Sequence, residues 1–60
     1  MDIFRHRKLV DYLESALLIT ELEKDRLELA NPDHVEWLCC ERLIAAALRY
    51  AEKLQPPANP

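Results

Sequence analysis

Sixty residues with a formal net charge of −3 allow one small domain and speak against a chain built to coat nucleic acid. Half of the residues are hydrophobic, aromatic residues are few and glycine is absent, which favours long helices with few sharp turns and excludes a glycine-rich phosphate loop. For so short a chain, the gain from burying apolar surface and the cost of ordering the backbone nearly cancel, so a staple or a partner is expected.

In chain order, Asp2 is an N-cap for a helix that begins at Ile3. The run "RHRK", Arg5 to Lys8, is the single basic cluster, and it sits at the helix end where cations are mildly unfavourable. Leu9, Leu13, Ala16, Leu17 and Thr20 line one side of this helix. Phe4, Leu18, Leu22 and Leu29 fall well away from that side, with Tyr12 and Ile19 between. A helix that is apolar on more than one face needs more than one neighbour.

The strongest punctuation is "LANPDH". Asn31 suits an N-cap, Pro32 the first helical position and Asp33 the positive helix end. A residue before proline leaves the α region, so the first helix is predicted over 3–30, a turn at 31 and a second helix over 32–54. In that second helix Cys40, Leu43, Ala47, Tyr50 and Leu54 recur at steps of three and four. They read as its core stripe, with Trp37, Ile44, Leu48 and Ala51 flanking. The tail "QPPANP", 55–60, has nothing to bury and is predicted to be disordered.

So short a connection folds the helices back antiparallel. Residues 1–54 are therefore an all-α, antiparallel two-helix hairpin, and its surplus apolar stripe predicts dimerisation into a four-helix bundle with two-fold symmetry. The expected partner or dimer surface is Leu18, Leu22, Leu29, Trp37, Cys40, Ile44, Ala47 and Ala51. The sequence leaves two matters open: how the subunits are oriented, and whether Trp37 is an exposed anchor or a plug behind the turn.

Chemistry-bearing patterns are sparse. Cys39 and Cys40 have His34 and a few carboxylates near them in sequence but no C-x-x-C or second histidine at ligand spacing, so no metal site is expected. Vicinal cysteines on a helix point about 100° apart, which suits packing better than a mutual bridge. Their competing reading is a thiol sensor. Two cysteines are too few for a disulfide framework, and no apolar run reaches membrane-spanning length, so a cytoplasmic protein is expected. No histidine follows a glutamate by three, as a di-metal carboxylate bundle would want, and Ser15 is the only serine. No catalytic residue, cofactor or enzyme activity is predicted.

In layout, the two helices and short turn over 3–54 resemble the Rop-like plasmid copy-number regulators, without a shared motif. That family's chains form helical hairpins that dimerise into four-helix bundles and bind paired RNA loops. Small phage- and plasmid-borne inhibitors that occupy a host protein's surface are a second class of similar size. Two functions follow as expectations. The first is a non-enzymatic interaction protein that dimerises and binds a partner protein as adaptor, inhibitor or regulator. The alternative is a Rop-like RNA- or DNA-binding regulator using Arg5, Arg7 and Lys8, with Lys24 and Arg26 as further candidate contacts.

Overall fold

The structure, a computed structural model, describes residues 2–54. Met1 and the segment 55–60, including the predicted tail, lie outside the described residues. Two helices pack against each other as a hairpin: α1 (Ile3–Asp25) and α2 (Pro32–Lys53). Principal-axis extents of 53 × 14 × 10 Å describe a long layer a single helix thick.

Both helix starts use the caps read from the sequence. Asp2 Oδ1 accepts a hydrogen bond from the Arg5 amide at 2.8 Å, and Asn31 Oδ1 accepts one from the Asp33 amide at 2.9 Å. Pro32 occupies the first turn of α2, where its missing donor costs nothing.

The end of α1 differs from expectation. The helix stops at Asp25, not at Ala30, and residues 26–31 form the connection. The reason is reach: helix axes 8–10 Å apart are not bridged by one turning residue, and connections of two to eight are usual. With no glycine and no positive φ among the described residues, the chain reverses through successive right-handed turns. The Leu27 amide donates to Lys24 O at 3.1 Å and the Asn31 amide to Glu28 O at 2.9 Å.

The seam between the helices follows a seven-residue repeat. On α1 it runs His6, Leu13 and Thr20, with Leu9, Val10, Ala16 and Leu17 filling in, all at least half-buried. On α2 it runs His34, Glu41 and Leu48, with Trp37, Leu38, Ile44, Ala45 and Ala51 beside them. The α1 side matches the stripe read from sequence. The α2 side does not: Cys40, Leu43, Ala47, Tyr50 and Leu54 are exposed, and the residues expected to flank them make the seam. Two apolar stripes share α2, and spacing alone cannot say which one meets α1, because either satisfies the three-four alternation.

Two long-range bonds set the register. His6 Nε2 lies 2.8 Å from Ala51 O, and with a carbonyl as acceptor that nitrogen carries the proton. Near the turn, Lys24 Nζ donates to Glu41 Oε2 at 2.6 Å. Among the described residues no helix is long and apolar enough to cross a membrane.

Candidate interaction surface

The hairpin covers little of its own apolar surface. Among the described residues only Ala51, at 3% exposure, and Thr20, at 4%, are buried, and no large side chain is fully enclosed. Leu43 remains 72% exposed and Tyr50 69%. Thr20 satisfies its hydroxyl locally by donating to Leu17 O at 2.7 Å, so even the most protected polar group makes no bond across the seam.

The seven-residue repeat of the seam sorts the remaining residues into two broad sides. In an antiparallel pair, residues just before a seam position on α1 and on α2 lie on one side of the layer, and residues just after lie on the other. The "before" side carries Tyr12 and Ile19 from α1 with Cys40, Ala47 and Leu54 from α2, all exposed. Arg5 bounds it at the open end, and Arg26 with Asp33 at the turn. The "after" side carries Arg7, Glu14 and Glu21 from α1 with Val35, Arg42 and Arg49 from α2. An open cleft of about 400 Å³ on that side is lined by Ile3, Arg7, Val10, Asp11 and Glu14 of α1 with Glu52 of α2, so residues of both helices meet there. The layer is thus apolar on one side and charged on the other. A third feature is the outer edge of α1, where Phe4, Leu18 and Leu22 point away from α2 and are 79%, 55% and 56% exposed.

The predicted surface residues divide accordingly. Cys40 and Ala47 stand on the apolar side, Leu18 and Leu22 on the outer edge of α1, and Leu29 in the connection, all exposed. Trp37 and Ile44 are half-buried and Ala51 is buried within the seam, so the hairpin itself uses these three. Half-burial of Trp37 beside the turn fits a plug better than a free anchor. Cys39 and Cys40 are both free and exposed, not enclosed in a hairpin core as their sequence setting suggested. They point to different sides: Cys40 just precedes seam residue Glu41, whereas Cys39 lies a further step round the helix.

The five cations expected as nucleic-acid contacts do not converge. Arg5 pairs with Asp2 at 3.6 Å and Arg26 with Glu23 at 3.2 Å. Lys24 is held by Glu41 at 2.6 Å, with both side chains 20% exposed. That hydrogen bond, helped by the Glu41, Asp25 and Glu21 charges and opposed by partial desolvation, holds the Lys24 ammonium above the usual 10.5. Arg5 lies on the apolar side, Arg7 on the charged side and Lys8 on the outer part of α1, so three neighbours in sequence face three directions. A phosphate backbone recruits a continuous basic face. Among the described residues no three His, Cys, Asp or Glu side chains gather as a metal-binding group.

No family model, curated protein or solved structure matches this chain. The surface must therefore be read from its own chemistry. Sequence reasoning missed two residues that organise it, His6 and Lys24, because both sit in charged surroundings that read as solvated. Their signal was positional: each falls in the α1 seam repeat, at a position otherwise taken by leucine, valine or threonine.

Proposed function

We propose that this chain is a non-enzymatic interaction protein. Its hairpin pairs with a second copy through the apolar side to form a four-helix bundle. It then binds a partner protein through the outer edge of α1, acting as adaptor, inhibitor or regulator by occupying that partner's surface. The observation that carries this reading is the two-residue core of the isolated hairpin, Thr20 and Ala51, set against six aliphatic or aromatic side chains on α1 that stay exposed. A layer of this kind gains stability chiefly by covering its apolar side. After pairing, Leu18 and Leu22, one turn apart, remain outside the bundle as an exposed apolar pair, with Phe4 further along the same edge. Its two unpaired thiols suit a reducing, cytoplasmic setting.

Affinity capture from the native host tests the reading. Wild-type bait is expected to retain a protein at about 0.5 M salt, where exposed charge contacts are screened. A Leu22→Asp bait of unchanged oligomeric state is expected to lose it. Capture of nucleic acid that disappears with salt, and that Leu22→Asp leaves intact, would overturn the proposal in favour of the RNA- or DNA-binding alternative.

A further inference from the structure

The charge of the hairpin is distributed unevenly along its length. Residues 21–42, which form the half of the layer around the turn, hold seven carboxylates and three cations, a net charge of −4. Residues 2–14 and 49–53, the open half, hold four carboxylates and five cations, a net charge of +1. Between them, residues 15–20 ("SALLIT") and 43–48 ("LIAAAL") carry no ionisable side chain. The two bonds that set the register, His6 to Ala51 and Lys24 to Glu41, bring these uncharged stretches side by side. The hairpin is therefore an acidic end and a weakly basic end joined by a neutral waist.

We infer that the second copy covers the apolar side with its turn at the opposite end of the bundle, so that the acidic end of each subunit lies on the basic end of the other and the neutral waists meet at the two-fold axis. This rests on the pairing proposed above and specifies its geometry. A dimer with both turns at one end stacks −4 on −4, whereas the opposed arrangement stacks −4 on +1 twice. Charge of one sign gathered at one end of a bundle repels itself even where the side chains stay exposed, and the carboxylates left over after the Lys24–Glu41 and Arg26–Glu23 pairs would have no counter-charge there. The shapes agree. With the axis level with residues 15 and 16 of α1, inside the waist, Tyr12 of one α1 seats beside Ile19 of the other, because the two residues are equally far from that point. On α2, Ala47 lies near the axis between Cys40 and Leu54, where a small side chain lets two helices approach. Tyr12, Ile19 and Leu54, more than half exposed in one chain, together with part of Leu43 and Tyr50, are the apolar surface that such pairing covers.

Distance between the two turns decides the matter. A spin label at Glu28→Cys, in a chain carrying Cys39→Ser and Cys40→Ser, reports it by pulsed dipolar spectroscopy. Opposed subunits place the labels about 35 Å apart, since each turn stands some twelve residues from the axis at 1.5 Å per residue. Turns at one end place them about 15 Å apart, near the spacing of neighbouring helices. The expected result is the long distance, and the short one would overturn the opposed geometry while leaving the dimer intact. Absence of any dipolar signal, with a monomer mass, would instead remove the pairing itself. Should the labelled variant fail to fold, Ala47→Cys in the same background is expected to form an intersubunit disulfide on mild oxidation with a disulfide oxidant. A folded dimer that fails to cross-link there would contradict the inference.

Discussion

Ile19 and Val35 make a matched pair for testing which side of the layer is covered. Both are branched aliphatic residues, 55% and 54% exposed, but Ile19 stands on the apolar side and Val35 on the charged side. Full burial of such a side chain contributes about 3 kcal/mol at most. A residue already 45% sheltered gains a little over half of that on pairing, and alanine retains part of it. Ile19→Ala is then expected to cost about 1 kcal/mol per copy, or about 2 kcal/mol per dimer, a ~30-fold rise in the dimer Kd. Val35→Ala is expected to change Kd by less than about twofold, since its surroundings stay wet. Heats of dilution measured by calorimetry give both constants under the same conditions. Equal effects of the two substitutions, or a larger effect of Val35→Ala, would refute the assignment of sides.

Other outcomes follow from the same geometry. Asn31→Ala removes the α2 cap and is expected to cost about 1 kcal/mol, lowering Tm by about 5 °C in a thermal melt followed by circular dichroism. Thr20→Val should stay within about 1 kcal/mol of wild type in urea unfolding, because Leu17 O keeps its helical partner when the hydroxyl is lost. A loss above about 2 kcal/mol would mean that the hydroxyl works across the seam. Because the Lys24 value is raised in the folded chain, its contribution is whole below pH 10.5 and is lost as pH rises through the raised value. Lys24→Met is therefore expected to flatten that alkaline limb of the stability profile relative to wild type. Pairing covers Cys40 and leaves Cys39 wet, so a thiol reagent should react with one fast cysteine per chain in concentrated protein and with two after dilution.

Much of this fold was legible because local signals agreed with one another. Asp2, Asn31 and Pro32 mark helix starts by hydrogen-bonding rules that need no tertiary information, and both starts lie where those residues put them. Leu9, Leu13, Ala16, Leu17 and Thr20 form the most continuous stripe on α1, so its inner face was also readable. The end of α1 was not, since the six residues between Asp25 and Pro32 are demanded by the distance to the returning helix, a quantity absent from local sequence. The inner face of α2 was misread for a related reason. Cys40, Leu43 and Ala47 form as regular a stripe as Trp37, Ile44 and Leu48, and only the position of α1 distinguishes them. The stripe that lost the seam is the one the apolar side now presents, so the error and the proposed interface have one origin. His6 and Lys24 were hidden by their company: a polar residue in a charged run reads as solvated until a carbonyl or carboxylate is placed opposite it.

Sedimentation equilibrium over nanomolar to tens-of-micromolar protein, with helicity followed on the same samples, tests the central claim most directly. The account predicts a mass rising to twice the 7.0 kDa of one chain, with helical signal falling as the dimer dissociates. A fully helical species that holds at 7.0 kDa across the whole range would contradict it, since the hairpin would then be stable with its apolar side in water.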